Sequence, residues 1–399
     1  MSSGTTTVVL GGGFGGIATA RRLRERLPPE HEVRLIAKSR SFQVGATKTW
    51  VMLGRTEPDR VTRPLDALRA LGIDVLHAEV ERIEPETRTV ATAAGTFRAD
   101  YLVLATGADL DLGAVPGLAG SAETFYTREG SVRLRDILRR FDRGKLVILV
   151  PRVPFQCPPG PYEAAMLLQA EFRRRGMQHR TSIEVHTVEH APMTTAGPAM
   201  GAFILERLAE RGIGFHPRRA VREVDGSRKR IRMDGGEEVA YDLLIAVPPH
   251  SAARVARESG LTHQAGWIPV DARTLELAGS PAPGRIFAIG DVTSVPLPGR
   301  FAADAPLVLP KAGVFAEREG EVVAARIAAH ALGREPGETF DGKGYCYIEI
   351  DEKRAVRGEG SFFELPHPAM IAREPDTTQS QEKKTWAETW LTSHLPLPS

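Results

Sequence analysis

The chain has only two cysteines, Cys157 and Cys346, among 399 residues. Two thiols cannot make a disulfide-stapled scaffold, so the fold must rest on hydrophobic cores. Long apolar runs are also lacking: none reaches the roughly 18 residues that a bilayer-crossing helix needs, and no transmembrane helix is expected. Charge of one sign is lacking too. The formal net charge is +2, without the clustered basic excess of a nucleic-acid footprint, so no nucleic-acid partner is expected. Met1 to Thr7 is polar and meets the first apolar strand at once, which predicts no signal peptide. What remains, 42% hydrophobic and 26% charged residues, is ordinary for a globular chain of two or three domains.

Glycine is missing at one particular place. Lys145 to Val150 is a continuous apolar run of the kind that forms a buried parallel strand, and a helical pattern follows from about Tyr162 to Arg175. A dinucleotide-binding unit needs glycines in that connection, because only a bare backbone lets a pyrophosphate reach the helix amides. Here Pro154 to Glu163 reads Pro-Phe-Gln-Cys-Pro-Pro-Gly-Pro-Tyr-Glu, with four prolines and Cys157. Proline donates no N–H and fixes the backbone. The loop is therefore expected to hold a thiol and to bind phosphate poorly.

The start of the chain shows the intact pattern. A strand at Thr7 to Leu10 runs into Gly11, Gly13, Phe14 and Gly16, a G-x-G-x-x-G that opens a helix. Val33 to Ile36 gives a second strand. Tyr101 to Gly107 is a third, closing on Ala105, Thr106 and Gly107, and Arg285 to Asp291 is a fourth, ending in Gly290 and Asp291. In this order the segments resemble the disulfide-reductase-like flavoproteins. The resemblance implies an α/β fold with two Rossmann-like dinucleotide-binding domains plus a small C-terminal region, and FAD as cofactor. It places Ala105-Thr106-Gly107 at the close of the first part of the FAD domain, and Asp291 on the ribityl hydroxyls. Ile36 is followed by Ala37, Lys38, Ser39 and Arg40 rather than by an acid. Ribose recognition then falls to Ser39 or to another part of the chain.

The cysteine loop narrows the family. Pro-Phe-Gln-Cys-Pro-Pro-Gly-Pro-Tyr-Glu-Ala-Ala resembles the signature of sulfide:quinone oxidoreductases and of the flavoprotein subunit of flavocytochrome c sulfide dehydrogenase. The likeness extends to Ser41 to Gly54, to Pro310 to Gly320 and to Cys346. It implies that Cys157 and Cys346 flank the flavin and cycle through a disulfide or polysulfide, that Glu163 moves protons, and that Lys311 lies near the flavin edge and the quinone. Sulfide and quinone are the implied partners. Without the resemblance, Glu163 reads equally as an exposed first-turn carboxylate, and Lys311 as a surface lysine before a packing helix. The helix start after Cys157 offers a partial positive field that would lower its pKa. Phe42 and its cysteine-free neighbours exclude covalent attachment, so FAD is expected to be non-covalent. No metal site is expected. Some members carry a third cysteine in the region where this chain reads Thr124 to Gly130, with Tyr126 near that place.

Other readings compete. A type II NADH dehydrogenase would need a glycine loop after Val150, which is absent. A sulfide dehydrogenase subunit would pass electrons to a non-quinone acceptor such as a cytochrome, and a flavin-bound redox sensor would use the same thiols without turnover. The tail adds a polar, flexible stretch, Asp376 to Lys384, then an apolar stripe of Trp386, Trp390, Leu391 and Leu395. A basic, tryptophan-bearing stripe fits an interfacial anchor, and equally a helix packed on its own domain or on a dimer partner. The expected compartment is the cytoplasm; a peripheral place on the inner face of the cell membrane and a homodimer are left open. Tyr345, Tyr347, Phe362 and Phe363 suit either a quinone pocket or a core. The expected domains are 1–112 with 260–332 for FAD, 113–259 for the second nucleotide-type unit, and 333–399 for the C-terminal region.

Overall fold

The computed structural model describes residues 4–396; the outermost residues of the expected first and last domains, 1–3 and 397–399, lie outside them. The first unit opens with β1 (Thr6–Leu10), α1 (Phe14–Arg26), β2 (Glu32–Ala37), the short α2 (Lys48–Met52), β3 (Asp74–His77) and β4 (Tyr101–Leu104). The second contains α3 (Arg128–Arg140), β5 (Gly144–Val150), α4 (Gly160–Arg174), β6 (Thr181–Thr187), α5 (Pro198–Ala209), β7 (Gly214–His216) and β8 (Leu243–Ala246). The chain then returns through β9 (Ile286–Ala288) and α6 (Gly313–Ala331). It ends with β10 (Lys343–Glu349), β11 (Ala355–Ser361), β12 (Ala369–Ala372) and α7 (Thr377–His394).

Two parallel sheets result. The first has the order β9-β4-β1-β2-β3, so the returning strand completes the sheet begun at the N-terminus. The second has the order β7-β6-β5-β8. A parallel sheet is covered on both faces, which is why Val8 to Leu10 and Leu146 to Val150 are continuous apolar runs and fully buried. The two connections between the units lie side by side, Ala108–Leu110 pairing antiparallel with His250–Ala252. The last three strands form an antiparallel sheet in the order β10-β11-β12.

Close backbone approach explains the first glycines. Gly11 has φ +113°, and a Cβ there would stand 2.1 Å from the Ala105 carbonyl oxygen; a Cβ on Gly16 would stand 1.9 Å from that of Gly11. No side chain fits at either position.

The tail departs from expectation. Asp376 to Lys384 is ordered within and just before α7, whose N-terminus is capped by Asp376 accepting from the Gln379 N–H at 2.8 Å. The polar stretch misled because Gln379, Ser380 and Lys383 are buried. The apolar stripe is covered by the protein itself. Trp390 lies 4.7 Å from both Phe14 and Phe42 between ring centroids, Trp386 stacks on Phe14, and Leu391 and Leu395 are buried. Among the described residues, no helix is long and apolar enough to cross a membrane.

Because Trp390 anchors α7 to the first domain, Trp390→Ala should cost about 3–5 kcal/mol, read as a fall in thermal midpoint. Unchanged stability with a loss of vesicle binding would show instead that the stripe serves a membrane.

Candidate active site

The first nucleotide cradle is built from backbone. Gly13 precedes α1 without a side-chain cap, and a Cβ there would meet nothing within 4 Å. Uncapped amides at a helix start facing open space are a receptor for phosphate. The Thr106 hydroxyl is buried with no partner. Asp291, raised in pKa by burial, accepts from Gln156 Nε2 at 2.8 Å, and the Gly290 N–H donates to Glu319 at 2.6 Å. Amides, a free hydroxyl and a carboxylate along one path fit a diphosphate with a polyhydroxyl chain. Ser39 is less available. Its hydroxyl donates to the Ser41 carbonyl at 2.5 Å and accepts the Ser41 N–H at 3.2 Å.

The proline loop places Cys157 in the left-handed region, φ +57°, uncommon for a residue with a side chain. Two backbone hydrogen bonds hold it there. Its N–H donates to the Lys311 carbonyl at 2.8 Å, and its carbonyl accepts the Gly160 N–H at 2.7 Å. The thiol opens onto a cavity of about 370 Å³, and Cys346 on β10 lines the same cavity. Both are free thiols. Cys157 is exposed to the cavity, yet the protein packed around its sulfur desolvates the thiolate and pushes it up to about 12, with the Glu163 charge acting in the same direction; the Lys383 charge, the Gly160 N–H and the Lys48 charge pull downward. Cys346 is also pushed up to about 12, by burial and then by the charge of Cys157. The expected lowering of Cys157 by the helix start is thus outweighed: desolvation of a thiolate exceeds the partial field of a helix end.

Glu163 is not an exposed first-turn carboxylate. It is 5% exposed, and both its oxygens lie 2.9 Å from Lys383 Nζ. It also accepts the Glu349 N–H at 2.9 Å and the Thr49 hydroxyl at 3.3 Å. Lys383 reaches Glu349 at 2.7 Å, and Glu349 accepts from Trp50 Nε1 at 2.6 Å. Burial and the Glu349 charge raise Glu163, while Lys383 holds Glu349 low and is itself raised by the two carboxylates. Glu163 and Lys383 both line the cavity.

Lys311 is buried, and its ammonium is committed inside the protein. It donates to the Asp291 and Thr293 carbonyls at 2.7 and 2.8 Å and lies 3.4 Å from the Trp267 ring centroid. Burial pushes it down to about 8. Its backbone, rather than its charge, meets the cysteine loop. Tyr345, Tyr347 and Phe362 line the cavity, with Phe362 also packed edge-on to Phe315, whereas Phe363 packs on Phe340.

Several residues of the site escaped the sequence reading. Gln156 bridges to Asp291. His250, pushed down to about 4 by burial, accepts the Gln156 N–H at Nε2 and donates to the Pro248 carbonyl from Nδ1. Lys48 donates to the Tyr126 carbonyl at 2.5 Å. Lys383 had a signal: with Ala387 and Trp390 it falls at helical spacing on the buried face of α7. Glu184, His186 and His216 form a cluster of metal-ligand type on β6 and β7. There Glu184 is paired to Lys145 at 2.6 Å and lies 3.0 Å from His186 Nε2, and the two imidazoles stack 4.2 Å apart.

The comparisons agree with this architecture. The family described as pyridine nucleotide-disulphide oxidoreductase matches residues 5–320. A mitochondrial sulfide:quinone oxidoreductase of Mus musculus is 28% identical over 314 residues, covering 74% of this chain and 67% of that one. A sulfide-quinone reductase of Aquifex aeolicus is 26% identical over 340 residues, covering 80% and 75%. The X-ray structure of the sulfide:quinone oxidoreductase from Aquifex aeolicus matches with a TM-score of 0.86 at 23% identity, over 99% of this chain and 93% of that one.

Lys383→Met leaves two buried carboxylates without their cation and should cost about 3–5 kcal/mol in urea unfolding. The triple variant Glu163→Gln, Lys383→Met, Glu349→Gln should recover most of that loss. Near-parental stability of the single variant would contradict the ion triad.

Proposed function

The chain belongs to the pyridine nucleotide-disulphide oxidoreductase family, and we propose that within it this protein is an FAD-dependent sulfide:quinone oxidoreductase acting through Cys157 and Cys346. One observation carries the reading: the loop after β5 has proline and a thiol where a nucleotide loop has glycine, and a second cysteine lines the same cavity. A non-quinone electron acceptor is the rival that shares the sulfur chemistry. A pyridine nucleotide is the weaker rival, since the second domain offers no glycine cradle for its phosphates.

Bound FAD would supply a two-electron acceptor between the sulfur pair and quinone. Gly11, Gly13, Phe14 and Gly16 would hold its diphosphate at α1, with Ala105, Thr106, Gly107, Gly290 and Asp291 along the rest of the dinucleotide. Phe42 leaves no thiol for covalent attachment near β2, so the cofactor is held non-covalently. Lys311 acts as a positioning residue. Its ammonium fixes the Asp291 backbone and its carbonyl fixes Cys157, which ties the cofactor site to the thiol loop.

With the cysteines joined as a disulfide, HS⁻ attacks one sulfur. The S–S bond breaks, a persulfide forms on that cysteine, and its partner leaves as a thiolate. Glu163, raised by burial, is suited to accept the persulfide proton. The Lys383 charge offsets the new anion, since it favours the thiolate of both Cys157 and Cys346. A lipid-soluble acceptor brings with it a peripheral place at the inner face of the cell membrane, on a surface other than the buried α7 stripe.

Anaerobic sulfide should bleach the flavin band of the holoprotein, and quinone should restore it, whereas NADH should leave the band unchanged. In Cys157→Ser the sulfide rate should fall by several orders of magnitude. Rapid bleaching by NADH, or a variant as fast as the parent, would overturn the reading.

A further inference from the structure

Tyr126 brings a phenolic oxygen to the cavity that no group of the described residues holds. Its side chain is 4% exposed, its hydroxyl is buried without a hydrogen-bond partner, and the residue lines the cavity beside Cys157. Gly160 locates the two groups. A Cβ built there would stand 3.2 Å from the Tyr126 oxygen and 3.6 Å from Cys157 Sγ, so hydroxyl and sulfur flank the same small residue. The neighbours fix the ring. His250 packs edge-on at 5.6 Å, Phe125 lies at 4.9 Å, and the Tyr126 carbonyl is tied to Lys48. A buried hydroxyl without a partner is unfavourable and calls for an explanation, a catalytic role among them.

We propose that Tyr126 is a catalytic residue of the sulfur reaction, its hydroxyl donating a hydrogen bond to the Cys157 sulfur when that sulfur carries negative charge. The inference rests on the sulfide-oxidising reading of the site. When HS⁻ adds to Cys346 of the joined pair, the S–S bond breaks, the new bond is Cys346 S–SH, and the bonding electron pair leaves on Cys157. No proton moves in this step. The Tyr126 hydroxyl lies across Gly160 from the leaving sulfur, with Lys48 and Lys383 giving longer-range positive charge. Burial, and then the Cys157 charge, hold the phenol well above its ordinary pKa. The group therefore stays a donor across the working range. A hydrogen bond that strengthens only as charge develops lowers the barrier without tightening substrate binding.

The test uses full-length holoprotein and Tyr126→Phe, which keeps the ring and removes an oxygen that no other group of the protein holds. In a Cys346→Ser background, iodoacetamide capture of Cys157 should slow about tenfold at each pH between roughly 8 and 10, the signature of a thiol pKa raised by about one. With both cysteines present, sulfide-driven bleaching should slow about tenfold at saturating sulfide, with flavin content unchanged. Capture rates equal to the parent's overturn the proposal, whatever the sulfide rate. A slowed capture with an unaltered sulfide rate overturns the catalytic role. If sulfide bleaches neither protein, the functional reading fails, while the capture profile still decides whether Tyr126 serves the Cys157 thiolate.

Discussion

Lys383 stands between two buried carboxylates, 2.9 Å from Glu163 and 2.7 Å from Glu349, and this triad joins three separate stretches of the chain. Glu163 lies in the first turn of α4, six residues after Cys157; Glu349 ends β10, three residues after Cys346; Lys383 comes from α7. The Glu349 N–H also donates to Glu163, so the strand of one cysteine is bonded directly to the helix of the other. Charges buried this deeply are tolerated only as a complete set. The set holds both cysteines on one cavity, leaves the region with one excess negative charge when all three groups are ionised, and makes the C-terminal helix part of the site.

That excess charge bears on the chemistry. Two thiols pushed up to about 12 rest as neutral groups at ordinary pH, so the pair does not depend on a standing thiolate. Charge is needed only once a sulfur–sulfur bond opens. The groups that would receive it are the Lys383 ammonium and the unpartnered Tyr126 hydroxyl.

The legible parts of this molecule were those governed by backbone sterics. Gly11 and Gly16 are demanded by carbonyls about 2 Å from any Cβ, and the same rule made the prolines after β5 conspicuous. Parallel strands betrayed themselves as unbroken apolar runs. Side-chain commitments were not legible. Lys311 reads as a cation before a helix, but only the fold brings the Asp291 and Thr293 carbonyls to its ammonium. Asp376 to Lys384 reads as solvated because each residue in it is polar, yet Lys383 is held by two acids far away in sequence. Tyr126 carries no pattern at all, since its meaning is a missing partner. The rise at Cys157 was not legible because the groups crowded around its sulfur come from elements far apart in sequence.

The account turns on Cys157 and Cys346 acting as one redox pair. Peptide mapping under non-reducing conditions, after sulfide treatment of the holoprotein and reoxidation by quinone, tests this directly. The account predicts peptides joined through Cys157 and Cys346, with or without added sulfur atoms between them. Two cysteines that remain separate and freely alkylated in the reoxidised, active protein would contradict it.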